Sequence, residues 1–244
     1  MKDAGRGRGL KTFTVGRKGS GIRLVEARRE GLEQHLTLAT ATGEHRVTLP
    51  LVGDFQVSNA LVAAGLVMGA GGEEEVTLRS LASLKGATGR LDLVGKTASG
   101  ASVFVDYAHT PDALENALSS LRPYAERKLI VVFGCGGDRD KGKRPLMGAA
   151  AVKLADVAIV TDDNPRTEDA AVIRREVMAG ARGAVEIADR ARAIREAVAQ
   201  AGAGDIVLVA GKGHEEGQII GKEVRPFSDH AAVRAAIAGE DYHG

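Results

Sequence analysis

A short apolar run, Val157-Ala158-Ile159-Val160, leads into Asp162-Asp163-Asn164-Pro165-Arg166-Thr167, so that two carboxylates and a guanidinium close one strand. Carboxylates accept from an ammonium group and a guanidinium fork grips a carboxylate, which suits the segment to a zwitterionic amino acid. Pro165 fixes φ and bars continuation of the strand, and Thr167 is placed to cap a following helix carrying Ile173 and Val177 on one face. Two further turns collect the same kinds of groups. In Asp106-Tyr107-Ala108-His109-Thr110-Pro111 a carboxylate ends a strand and an imidazole stands before a helix N-terminus, a position that favours anions. The plainer alternative is that Asp106 and Thr110 only cap that helix and His109 is solvated. In Gly211-Lys212-Gly213-His214-Glu215 the glycines permit close backbone approach and Glu215 can accept from an ammonium; a tight solvated turn is the alternative. His214-Glu215 lacks the second histidine of a zinc helix, so no metal is assigned.

The stretch Val132 to Pro145 contains a decoy. Gly137 to Lys143 fits G-x-x-x-x-G-K between a strand and a helix, as a phosphate loop should. Arg144 follows where a Mg²⁺-holding hydroxyl is needed, and Asp138 and Asp140 would face the phosphates, so the match is rejected on its chemistry. What remains is a glycine-rich turn presenting Arg139, whose planar fork suits a carboxylate.

These turns need a frame. Residues 1 to about 56 alternate apolar and polar positions, as at Leu36 and Leu38 and at Val47, Leu49 and Leu51, and read as a β-meander. From Val57 the period becomes helical through Leu61, Ala64 and Met68, and a short helix with Leu78, Leu81 and Leu84 follows. Gly86 to Arg90 reads as a domain junction. Beyond it strands alternate with helices: Ser102 to Val105, then a helix capped by Thr110 with Pro111 at its first position; Leu129 to Phe133, then Lys143 to Leu154; Val157 to Val160; Val185 to Ile187, then a helix burying Ile194 and Val198; and Ile206 to Ala210. A hairpin joined by Gly221-Lys222 and a helix capped by Ser228 close the chain. Such alternation predicts an open, mostly parallel doubly wound α/β sheet with one antiparallel edge, whose ligands sit at the carboxyl ends of the strands.

Composition excludes several classes of function. The 244 residues carry 33 basic and 32 acidic side chains, a net charge of +1, so no overall field recruits nucleic acid or a membrane surface. Five Phe, three Tyr and no Trp leave little to stack on bases. Cys135, the single cysteine, rules out an intramolecular disulfide. No apolar run approaches the roughly 18 residues of a membrane span, and Met1 to Phe13 is basic and glycine-rich without the apolar stretch of a signal peptide. The expected location is the cytoplasm.

The chain resembles the Mur ligases, in their diaminopimelate-adding branch, from about Leu49 to the C-terminus. The resemblance rests on G-D-F-Q-V-S-N at Gly53 to Asn59, G-R at Gly89-Arg90, D-Y-A-H-T-P-D-A-L at Asp106 to Leu114, G-C-G-G-D-R-D-K-G-K-R-P-L-M from Gly134, D-D-N-P-R and G-K-G-H-E. It implies that residues 1–88 are the C-terminal part of a central ATPase domain and 89–244 a Rossmann-like domain that brings the incoming amino acid. It implies that Arg139, Asp163, Asn164, Pro165, Arg166, Gly211 and Glu215 line a pocket for meso-diaminopimelate, and that Asn59, Arg90, Asp106 and His109 contribute to the nucleotide site. The implied cofactors are ATP and Mg²⁺, and the implied acceptor is the UDP-MurNAc-dipeptide. The family's G-T-N-G-K-T phosphate loop, carbamylated lysine and Mg²⁺ ligands precede the region matched here, and no such stretch occurs in this sequence. The expectation is therefore the C-terminal half of a ligase, with no catalytic group of its own and inactive alone. Gln56 stands where the family more often has Asn. An amino-acid-binding module without catalysis is the alternative; a folylpolyglutamate ligase is disfavoured by the D-N-P-R and G-K-G-H-E pair.

Overall fold

The computed structural model describes residues 12–243, and the start of the meander at Met1 to Lys11 lies outside them. The chain divides into two compact units, 1–85 and 86–244.

In the first unit four strands, β1 (Val15–Gly16), β2 (Ile22–Glu30), β3 (Glu33–Ala39) and β4 (Glu44–Leu49), lie in that order in one sheet, β1 parallel to β2 and the rest antiparallel. Alternation sends Leu36, Leu38, Val47 and Leu49 to one face, where they pack on Val57, Leu61 and Ala64 of helix α1 (Asp54–Gly69) and on Leu78 of α2 (Glu74–Ser80). Burying each of these leucines and valines contributes about 1.5–3 kcal/mol. β2 breaks the pattern because β1 pairs only with its first two residues; beyond them it is an edge, and it carries Glu26, Arg28, Arg29 and Glu30, charges that discourage further pairing.

The second unit holds a six-stranded sheet in the order β5 (Asp92–Lys96), β6 (Ser102–Asp106), β10 (Ile206–Ala210), β7 (Leu129–Phe133), β8 (Val157–Val160), β9 (Val185–Glu186). All pairs are parallel except β5 with β6, so the antiparallel edge is β5, a strand the sequence reading did not identify. Every residue of β6, β7 and β10 is buried, as befits strands covered on both faces. Helices α3 (Pro111–Leu121), α4 (Lys143–Leu154) and α5 (Ala170–Met178) pack side by side, while α6 (Arg190–Ala199) and α7 (Asp229–Ala238) cover Val103, Val105, Ile130, Val132, Val207 and Val209. The hairpin β11 (Gly217–Ile220) and β12 (Glu223–Pro226) is a separate two-stranded sheet.

Local chemistry sets the helix starts. Thr110 accepts from the Ala113 N–H at 3.3 Å with Pro111 behind it, and Ser228 accepts from Ala231. Thr167 does not cap α5; Asp169 does, accepting from Ala171 at 2.8 Å. The Thr167 hydroxyl instead donates to Asp138 at 2.7 Å, because the glycine-rich loop folds back over this turn and offers a carboxylate acceptor, whereas the helix start offers only N–H donors, which Asp169 serves. Among the described residues no helix is long and apolar enough to cross a membrane.

Candidate functional site

Strands β8 and β10 end side by side with only β7 between them, which sets the Asp162 to Thr167 turn beside Gly211 to Glu215. Asn164 joins the two: its Nδ2 donates to Glu215 Oε2 at 3.0 Å, while its Oδ1 accepts from Lys212 Nζ at 2.8 Å and from the Ile219 N–H at 2.9 Å. Asp163 is buried, and its Oδ1 has no hydrogen-bond partner although Lys212 Nζ lies 3.3 Å away. Gly211 takes φ +121°, a conformation open to glycine, and a β-carbon built there would stand 3.5 Å from Asp163 Oδ2. Asp163, Asn164, Pro165, Arg166, Gly211 and Glu215 are thus brought together.

Arg166 holds a positive φ of 52°, uncommon for a residue with a side chain. The hairpin enforces it: the Arg166 N–H donates to Ile219 O at 3.0 Å and its carbonyl accepts from Gly221 at 2.6 Å. Its guanidinium donates through Nη1 to Gly137 O at 2.9 Å and Asn164 O at 3.4 Å, and among the described residues Nη2 and Nε have no hydrogen-bond partner. The loop lies this close because Gly137 has no side chain; a β-carbon there would stand 1.9 Å from Pro165 O.

The same loop carries Arg139, which is exposed and, among the described residues, donates only to the neighbouring Asp138 carbonyl. Arg144 is fully buried and donates to Glu168 at 2.9 and 3.0 Å and to Glu176 at 2.6 Å, and Lys143 donates to His109 O at 2.6 Å. Arg144 faces no open space, and Lys143, half-buried, is tethered to a backbone carbonyl. The Arg144 guanidinium, the Asp138 N–H and Lys141 together hold the Glu168 carboxyl down to about 2. Burial pushes the Cys135 thiol in this loop up to about 12.

At the end of β6, Asp106 is buried and both its oxygens are taken, by the Leu91 N–H and the Ala108 N–H at 2.7 Å each. Burial raises its pKa against these two bonds and the nearby Arg90 charge. It does not cap α3. The Arg90 guanidinium lies 4.7 Å over the Tyr107 ring, and Tyr107 also meets the rings of His109 and His214 at 4.6 and 5.4 Å. Arg90, Asp106 and His109 therefore gather at one sheet edge. Asn59 belongs to the first unit, exposed on α1, with Nδ2 3.3 Å from Gln56 Oε1.

Three residues of the site were given no role from sequence. Lys212 is fully buried under the two turns, and burial lowers its pKa. Arg190 and Asp229 form a fully buried two-pronged pair at 2.7 Å, and Arg190 also donates to Ala210 O at 3.0 Å, just before Gly211. Lys212 was visible inside G-K-G-H-E; the 39-residue separation of Arg190 and Asp229 left no local signal.

A doubly wound sheet with paired polar turns at its carboxyl edge defines an α/β ligand-binding domain. Residues 89–213 match the family described as Mur ligase, glutamate ligase domain, and the chain belongs to the Mur ligase family. It is 58% identical over 230 residues to a UDP-N-acetylmuramoyl-L-alanyl-D-glutamate--2,6-diaminopimelate ligase of Brucella melitensis, covering 94% of this chain and 47% of that protein. The protein of the same name from Agrobacterium fabrum is 56% identical over 235 residues, covering 96% and 48%. A solved structure of a ligase of this name superposes with a TM-score of 0.74 at 37% identity, over 98% of this chain and 50% of that one. The chain spans about half the length of the curated relatives it matches.

Proposed function

We propose that this chain is the C-terminal half of an ATP-dependent ligase that joins meso-diaminopimelate to UDP-N-acetylmuramoyl-L-alanyl-D-glutamate in the cytoplasm, in peptidoglycan precursor synthesis. The observation that carries the reading is the Asn164–Glu215 bond, which closes the D-N-P-R turn onto the G-K-G-H-E turn with Asp163 and Arg166 beside it. Diaminopimelate ends in an ammonium and a carboxylate on one carbon. Glu215 and Asp163 suit the first and Arg166 the second. Arg139 is free to swing in as a second guanidinium, and Pro165 and Gly211 shape the wall. The names of the relatives support the same substrates.

On this reading residues 1–88 belong to the central ATPase domain and 89–244 to the amino-acid domain. Arg90 and His109, both exposed and both against Tyr107, suit a phosphate-bearing ligand, and Asn59 is assigned to the nucleotide from the first unit. Asp106, with both oxygens occupied, acts by fixing the backbone beside Arg90. No Mg²⁺ ligand is assigned here; among the described residues no group of three His, Cys, Asp or Glu side chains is placed to hold a metal. When bound, ATP with Mg²⁺ supplies the phosphoryl group that activates the D-glutamyl carboxylate. The residues of this chain hold the amine in line with it, a contribution of proximity.

The test is Arg166→Ala in the full-length enzyme. It should raise KM for diaminopimelate about 10- to 100-fold, the loss of a charge-assisted contact of roughly 1.5–3 kcal/mol, and leave the weak use of lysine nearly unchanged. Arg166→Lys should recover little, since a point charge cannot reproduce the fork. Equal losses for both amino acids would remove the assignment.

A further inference from the structure

Lys212 is a lysine with no exposed surface, and it sits among acceptors that belong to the site rather than to the core. Its Nζ donates to Asn164 Oδ1 and to Gly217 O, each at 2.8 Å, and lies 3.3 Å from Asp163 Oδ1 and 3.8 Å from Glu215 Oε2. The nearby Arg190 and Asp229 cancel each other in their own two-pronged pair. Asp162 is likewise paired, with Arg174, and Arg139 and Glu216 are exposed and screened by solvent; the buried and half-buried charges left on the two turns are Asp163 and Glu215, both negative, against Lys212 and Arg166, both positive. The sum is zero.

Resting on the amino-acid site proposed above, we propose that Lys212 is a specificity-determining residue: its buried ammonium offsets one of the two carboxylates, so that the pocket matches a ligand end of zero net charge. The distal end of diaminopimelate, ammonium plus carboxylate, is such an end. The distal end of lysine is a bare cation. Without Lys212 the same side chains sum to minus one, which complements lysine. Lys212 also keeps the carbonyl end of the Asn164 amide occupied, so that Nδ2 faces Glu215. The orphaned Asp163 Oδ1 fits this role: a buried acceptor beside the ammonium with capacity left for a ligand donor.

The test is calorimetric titration of the 244-residue chain with meso-diaminopimelate and with L-lysine, for the wild type, Lys212→Gln and Lys212→Arg. Glutamine keeps a donor for Asn164 and removes the charge; arginine keeps the charge. The ratio of lysine to diaminopimelate dissociation constants should fall at least about tenfold in Lys212→Gln, roughly 1.4 kcal/mol, and stay within about threefold in Lys212→Arg. Equal weakening of both ligands in Lys212→Gln would make Lys212 a structural prop and overturn the inference. Should Lys212→Gln not fold, Asp163→Asn tests the same balance from the other side. It should weaken lysine at least about tenfold more than diaminopimelate, and equal effects would overturn the inference. A wild type that does not prefer diaminopimelate would remove the amino-acid site itself, whereas an unchanged ratio in a discriminating protein removes only the role of Lys212.

Discussion

Arg166 shows how a single residue is committed to the site. Its positive φ is uncommon for a residue with a β-carbon, its backbone is clamped by the hairpin, and one nitrogen of its guanidinium is tethered to Gly137 O. Cys135 is committed the opposite way. It lies buried in the loop beside Asp163, and burial raises its thiol to about 12, so almost none of it is thiolate near neutral pH. Native protein at pH 8 should react with a thiol reagent at least about a hundredfold more slowly than urea-unfolded protein. Rapid labelling of the native chain would contradict the burial. The residue types were legible in the sequence wherever chemistry and spacing coincided, as at Asp163 to Arg166 and Glu215. Asp106 stood out in the sequence as a carboxylate ending a strand, but its bond to the Leu91 N–H, fifteen residues back, could not be read from a local pattern.

At the scale of elements, the glycine-rich loop and the D-N-P-R turn behave as one piece, held by Arg144 between Glu168 and Glu176 and by Asp138 against Thr167. The Glu168 carboxyl, held down to about 2 by Arg144, contributes stability that is present above its ordinary value of 4.5 and lost as pH falls toward 2. Glu168→Gln should therefore have a lower Tm than the wild type at pH 7, with the gap closing between pH 4.5 and pH 2. A gap independent of pH would show that the carboxylate does not hold the loop. Strands β7, β8 and β10 and the caps Thr110 and Ser228 were legible because apolar runs and capping residues are local signals. Strand β5, Asp92–Lys96, was not: one of its five residues is a glycine, it lies at an edge and none of its residues is fully buried. The start of α5 was misread because Thr167 found its partner in a loop 29 residues away.

For the whole molecule, two units each have their own core, and in the G-x-x-x-x-G-K match Lys141 pairs with Glu168 and Lys143 donates to the His109 carbonyl. The 244-residue chain should bind its amino acid but show no ATP turnover. Loss of one group that stabilises transition-state charge costs about a hundredfold, and this sequence has no G-x-x-x-x-G-K-[ST] at all. ATP-dependent product from the purified chain would contradict this. The doubly wound class was legible from the alternation of strands and helices; the insertion of β10 between β6 and β7, which brings G-K-G-H-E close to D-N-P-R, is a matter of topology that no local pattern encodes. The central claim is that these two turns form one site for a zwitterion-ended amino acid. Its most direct test is the dissociation constant of the unmodified chain for meso-diaminopimelate against that for L-lysine, measured in one buffer by titration calorimetry. Diaminopimelate should bind tighter by at least about tenfold, the order expected when the half-buried Arg166 guanidinium loses a charge-assisted contact to a carboxylate. Equal affinities, or a preference for lysine, would contradict it.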